Sequence, residues 1–200
     1  MEVILAGGKM QRLREAWLPR LPPVNRVLLV GEGPGRFLEA ILRRQPQVSI
    51  VCVDASAGML RVARDRLRRS GFEQSRVEFV HGELPGWRPP DGYFELIGTH
   101  FFLDCFPPEL LREVVSSLAR GAVPGAHWLW SDFREPDAGF QRWRARLMLA
   151  VMYQFFRRVT QLKAAGLTCP EPYLVEQGFV SQGRHTADWG LLHSDWWMKA

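Results

Sequence analysis

RVLLVGEGPGRFLEAILRRQPQVSIVCVDASAGM, residues 26–59, is the stretch whose reading decides the fold. An apolar run over residues 27–30 ends in a turn carrying Gly31, Gly33 and Gly35. Phe37, Leu38, Ile41 and Leu42 follow at helical spacing, and a second apolar run over residues 48–53 is closed by Asp54. Two short apolar runs separated by one helix predict parallel strands joined by a crossover. Glycine in the turn lets a ligand approach the backbone where a Cβ would intrude. The N–H groups that open the next helix favour polar or anionic ligand groups, and an acid ending the second strand suits ribose hydroxyls. This unit is read as the part of a site that takes the adenosine portion of a cofactor.

The neighbouring stretches extend the pattern. Upstream, residues 9–18 predict a short helix that Pro19, Pro22 and Pro23 terminate. Downstream, Ser56 is an N-cap for a helix with Met59, Leu60, Ala63 and Leu67 on its inner face, ended by Gly71. Strands are predicted at residues 76–80, 94–98 and 126–131, with a helix opened by Pro107-Pro108 before the last and a turn at Pro124-Gly125. Alternation at these lengths implies an α/β domain with a mostly parallel sheet. Residues 179–187 and 191–198 read as an extended antiparallel pair around Trp189-Gly190, closing the sheet edge. Residues 138–163 read as one long helix with Phe140, Trp143, Leu147, Val151, Phe155 and Val159 on one face and several arginines on the other.

Composition sets outer bounds. The 200 residues suit one domain, 1–200, without linkers or repeats. No apolar run approaches the roughly 20 residues that span a bilayer, and the N-terminus lacks the form of a secretory signal, so a cytoplasmic protein is expected. Cys52, Cys105 and Cys169 form no CxxC pair, which suggests neither a disulfide framework nor a metal site. The net charge of +5 is read as a solvated, arginine-rich surface, with no nucleic-acid-binding motif present.

The glycine spacing is G-x-G-x-G. The dinucleotide fingerprint needs glycine where Arg36 stands, which lowers the reading as an NAD(P)-dependent oxidoreductase. Four segments in order, VLLVGEGPGRF, VDASAGMLRVAR, VEFVHGELPGW and YFELIGTHFFLDCFPPELL, resemble the motifs of the class I S-adenosylmethionine-dependent methyltransferases. The resemblance implies a Rossmann-like fold with a seven-stranded, mostly parallel sheet, one antiparallel strand near its edge, helices on both faces and an extra helix after strand five. By position it implies that Gly31, Glu32, Gly33 and Gly35 form the cofactor turn. Asp54 and Ala55 would meet the ribose, Met59 the adenine ring, and Gly82, Glu83 and Leu84 the adenine edge. Thr99 and His100 would face the methionine portion. Glu83 and Glu95 stand where the family more often has aspartate.

The methyl-acceptor side is expected beyond the carboxyl ends of strands four and five. His100 and Asp132 are the candidate general bases, since a base is needed when the acceptor must lose a proton. Asp104, Arg134, Tyr153, Trp189 and His193 are candidate acceptor contacts. Residues 1–25 are expected to cover the cofactor, and residues 138–168 to act as a lid, a packing insertion, a homodimer contact or, last in order, a membrane-surface helix. The function implied is methyl transfer to a small, apolar or lipid-like acceptor. A non-catalytic S-adenosylmethionine-binding protein is the alternative from another class. Nucleic acid is not the expected acceptor, because THFF follows strand four in place of a base-reading motif.

Overall fold

The computed structural model describes residues 8–136, 142–143 and 168–200. Seven strands form one sheet in the order β3-β2-β1-β4-β5-β7-β6. Strands β1 (Arg26–Val30), β2 (Ser49–Asp54), β3 (Val77–His81), β4 (Phe94–His100) and β5 (Ala122–Phe133) pair in parallel. β7 (Leu192–Lys199) runs antiparallel between β5 and β6 (Phe179–Ala187), so β6 and not the last strand forms the edge. β5 starts earlier than the pattern predicts. Pro124-Gly125 lies inside it, at an irregularity where the pairing jumps from Phe94–Ala122 to Leu96–His127.

Helices α1 (Lys9–Glu15), α2 (Arg36–Arg44), α3 (Ala57–Arg69), α4 (Pro108–Arg120) and α5 (Glu171–Glu176) cover the sheet. One core layer buries Phe37, Leu38 and Ile41 of α2 and Leu60, Ala63 and Leu67 of α3 against β1 and β2. The other buries Leu111, Val114 and Leu118 of α4 with Trp128 and Phe179. The central strand β1 is buried on both faces, which is why it reads as an unbroken apolar run. The cap of α3 is made as the sequence predicts, with Ser56 Oγ accepting the Met59 N–H at 3.2 Å. Glu95 is structural: it accepts the Asn25 N–H at 2.8 Å and pairs with Arg26 at 3.0 Å, pinning the start of β1 to β4.

The predicted helix at residues 138–163, together with Tyr153, lies outside the described residues apart from Arg142 and Trp143, which are helical and exposed. No described helix is long and apolar enough to cross a membrane.

Candidate active site

The carboxyl ends of the parallel strands converge on the glycine turn. Gly31, Gly33 and Gly35 all have positive φ, from 60° to 76°. A Cβ on Gly31 would lie 2.2 Å from the Phe102 ring, whereas none of the described residues stands within 4 Å of that position on Gly33. The turn is therefore walled by Phe102 on one side and open over Gly33.

Glu32 decides what charge the turn accepts. Its side chain folds inward and accepts the N–H groups of Phe37 at 2.7 Å and Leu38 at 3.1 Å. Those are donors at the N-terminus of α2, where a dinucleotide pyrophosphate would sit. A buried carboxylate already occupies that place, 8% exposed, so a phosphate would meet like charge. Asp54 adds a second negative charge. Its Oδ2 accepts the Gly33 N–H at 3.0 Å and its Oδ1 the Ser56 N–H at 2.8 Å. Each oxygen keeps a lone pair able to accept a ribose hydroxyl. The field of this acid pair is felt beneath the turn: burial, then Glu32 and Asp54, push the Cys52 thiol far above its ordinary range. The turn thus suits a nucleoside carrying a cation and no phosphate.

The ends of β2 and β3 stand where the resemblance places the adenine. The Gly82 N–H donates to the Asp54 carbonyl at 3.2 Å, and His81 Nε2 lies 3.0 Å from the Ala55 carbonyl. Glu83 and Ala55 are exposed and Leu84 is buried. Met59 is an apolar side chain left 44% exposed at the start of α3, next to this slot.

At the carboxyl end of β4 the side chains divide between the two faces. Thr99 is fully buried and accepts the Trp128 indole N–H at 2.8 Å. His100 lies on the opposite face, edge-on to Phe37, with Nδ1 3.0 Å from Ser131 Oγ. Ser131 Oγ in turn donates to Ser194 Oγ at 2.9 Å. Burial, with Arg14 nearby, pushes the His100 imidazole well below its usual pKa, and Nε2 has no hydrogen-bond partner among the described residues. The ring leans back toward Gly98, whose absent Cβ would lie 3.8 Å from Nε2.

Past the ends of β4 and β5, Asp104 and Asp132 meet in the interior. Asp132 accepts the Asp104 N–H, the Trp130 indole N–H and the Phe133 N–H, each at 3.1 Å. Burial, with the Asp104 charge behind it, raises the Asp132 carboxyl well above the ordinary carboxylate range. Burial raises the Asp104 carboxyl as well, while a hydrogen bond with Asp132 opposes that rise. His193 stands opposite Asp132 in the β5–β7 register, with Nδ1 3.4 Å from Asp195 Oδ2. Asp195 is itself held by Arg184 at 2.7 Å and 2.5 Å. Trp189 is 64% exposed at the β6–β7 tip, where Asp188 and Trp189 both have positive φ.

α1 crosses this end of the sheet. Lys9 pairs with Asp188 at 2.8 Å, Gln11 donates to the Arg36 carbonyl at 3.3 Å, and the Arg14 guanidinium lies 4.8 Å above the Phe101 ring. α1 is thereby fixed over the carboxyl ends of the strands, while residues 1–7 of the segment expected to cover the cofactor lie outside the described residues. Sequence reading places Glu32 at the turn but not as the cap of α2, and it names Asp104, Asp132 and His193 without their association. The alternation of β5 and β7 holds that second signal, because Trp130, Asp132, His193 and Asp195 fall on one face.

Fold and site together define a nucleoside-cofactor domain whose binding turn is acidic. Residues 27–125 match the family described as "Methyltransferase domain". The chain belongs to the class I S-adenosylmethionine-dependent methyltransferases, whose cofactor is S-adenosylmethionine. It is 28% identical over 180 residues to the trans-aconitate 2-methyltransferase of Afipia carboxidovorans, covering 89% of this chain and 64% of that protein. It is 31% identical over 140 residues to a ubiquinone/menaquinone biosynthesis C-methyltransferase of Pseudomonas entomophila, covering 68% of this chain and 53% of that one. The chain thus spans less than two thirds of the length of either relative. The solved N-methyltransferase NodS of Bradyrhizobium japonicum, in complex with S-adenosyl-L-homocysteine, shares the fold with a TM-score of 0.71 at 15% identity, over 99% of this chain and 90% of that one.

Proposed function

We propose that the protein transfers a methyl group from S-adenosylmethionine to a small, apolar or lipid-like acceptor. The observation that carries the cofactor side is the pair of acids at the glycine turn: Glu32 fills the helix N-terminus and Asp54 braces Gly33. Gly31, Glu32, Gly33, Gly35 and Asp54 would hold the nucleoside, with Ala55, Met59, Gly82, Glu83 and Leu84 around the adenine. Thr99 and His100 would contribute mainly backbone, since their side chains bond to Trp128 and Ser131. The cofactor supplies an electrophilic methyl group and its own leaving group, so orientation provides much of the rate.

The acceptor side supports an apolar ligand through its rings. Phe101 meets Phe133 at 5.4 Å and Phe102 meets Phe106 at 5.1 Å, all at the ends of β4 and β5, with Trp189 exposed beyond them. Asp132 is the base this reading favours. A carboxyl raised by burial and by Asp104 can take the proton that the acceptor loses as its new bond to the methyl group forms. His100 is held neutral and remains the second candidate. Arg134, Asp104 and His193 are the polar groups at hand to orient the acceptor.

A polycarboxylate acceptor is a second reading. The name of the Afipia relative points to it, and the Arg14 guanidinium over Phe101 supplies a cation near the ends of β4 and β5. Calorimetry with S-adenosylmethionine and with NAD tests the cofactor side, and binding of NAD alone would sink the proposal. Tritiated-methyl transfer to simple quinols, phenols and trans-aconitate then separates the acceptor classes. Cofactor binding without turnover on any of these, or on pooled cell extract, would leave the non-catalytic alternative standing.

A further inference from the structure

Helices α2 and α3 lie side by side over one face of the sheet and concentrate the charge of the chain. α3 carries Arg61, Arg64, Arg66, Arg68 and Arg69, and α2 carries three more arginines. Against these eight stand two acids, Glu39 and Asp65, a surplus of six. The whole chain has 26 basic and 21 acidic residues, a surplus of five, so the rest of the molecule is nearly balanced.

The inner arginines of this layer are structural. Arg66 donates to the Pro34 carbonyl at 2.8 Å and pairs with Glu39 at 3.3 Å. The outer ones are not. Arg61 and Arg69 make no ion pair among the described residues, and the side chain of Arg68 is 71% exposed although it meets Asp65. Arg64 lies over Phe79 with its guanidinium carbon 4.6 Å from the ring centroid. Val62, 43% exposed, projects from the same helix, and Met59 stands at its end. The apolar face of α3 is already buried in the core through Leu60, Ala63 and Leu67, so its charged outer face is available to an external partner.

We propose that the α2–α3 face docks on an anionic phospholipid surface. A basic field around an exposed aliphatic side chain has the chemistry that acidic headgroups and the acyl boundary recognise. The inference rests in part on the reading of an apolar acceptor, which a bilayer would dissolve and present. α3 starts just after Asp54, so docking brings the cofactor end of the sheet close to lipid. A nucleic acid is the less suited polyanion. A duplex offers no apolar partner to Val62, which is 43% exposed among the arginines.

Cosedimentation of the full chain with vesicles tests this without cofactor or acceptor. Vesicles of phosphatidylcholine mixed equally with phosphatidylglycerol are expected to bind the protein, and phosphatidylcholine alone is not. Binding should weaken as salt is added. The triple variant Arg61→Gln, Arg68→Gln, Arg69→Gln should lose roughly a hundredfold, at about fivefold per arginine. Its binding of S-adenosyl-L-homocysteine should stay at the level of the parent protein, which shows that the fold is intact. Equal binding to both vesicle types, unchanged binding by the triple variant, or tighter binding to a random-sequence DNA duplex than to vesicles would each overturn the proposal. A protein that binds these vesicles but not S-adenosylmethionine would instead overturn the cofactor reading alone.

Discussion

Replacing Glu32 separates its two roles. Its carboxylate accepts two buried backbone N–H groups, from Phe37 at 2.7 Å and Leu38 at 3.1 Å. Glu32→Ala leaves both without that acceptor. Each orphaned donor costs about 1–3 kcal/mol, and the lost negative charge at the start of α2 about 0.3–1 kcal/mol more. Phe37 and Leu38 are both fully buried, so the whole sum applies, roughly 2–7 kcal/mol. Glu32→Gln keeps a carbonyl oxygen for both N–H groups and loses only the charge, so its cost should stay near 1 kcal/mol. Urea unfolding at neutral pH measures both. The charge has a second consequence. S-adenosylmethionine carries a sulfonium that S-adenosyl-L-homocysteine lacks, and one charge at moderate distance is worth about 1 kcal/mol, roughly fivefold in affinity. Calorimetry should therefore show Glu32→Gln weakening the methylated cofactor about fivefold more than the demethylated one. Equal losses for the two ligands, or an alanine variant as stable as the glutamine variant, would refute the reasoning.

Three further outcomes follow from neighbouring geometry. Gly31→Ala should destabilise more than Gly33→Ala: both impose about 1 kcal/mol of left-handed strain, but only the first drives a Cβ into the Phe102 ring, and Phe102→Ala in the same chain should relieve the difference on thermal melting. Arg184→Gln strands Asp195, 1% exposed, as a buried charge, and should cost about 3–5 kcal/mol in urea unfolding. The Asp104–Asp132 pair gives a pH signature. Its carboxyls are raised in the folded state, so the native protein binds protons more tightly than the unfolded chain. That contribution to stability is complete below the ordinary Asp value of 3.8 and is lost as pH rises through the raised range. Asp104→Asn should flatten this part of a stability–pH curve. A curve identical to that of the parent protein would show that the two carboxyls do not titrate together.

The central unit is legible in the sequence because its signals are local. Apolar runs over residues 27–30 and 48–53, glycines where φ must be positive, Ser56 as a cap and Asp54 at a strand end each depend on a few adjacent residues. The strand boundary at β5 is less legible. Pro124 and Gly125 carry turn chemistry, yet pairing with β4 and β7 holds them within an extended strand. The last two strands read as a pair, but β7 lies inside the sheet, between β5 and β6, because pairing partners are chosen in three dimensions.

What the sequence by itself determined is the framework of the proposed cofactor half: the order of strand, turn, helix and acid. Tertiary structure alone decided where the charges of that half point and what assembles opposite it. Glu32 turns inward because the first N–H groups of α2 need an acceptor. Asp104, Asp132, His193 and Asp195 come from three separate segments and meet only when β7 inserts beside β5, since parallel and antiparallel register bring together residues far apart in the chain. The arginines of α2 and α3 likewise look scattered along the chain. They become one surface when the two helices settle on the same face of the sheet with their apolar sides down.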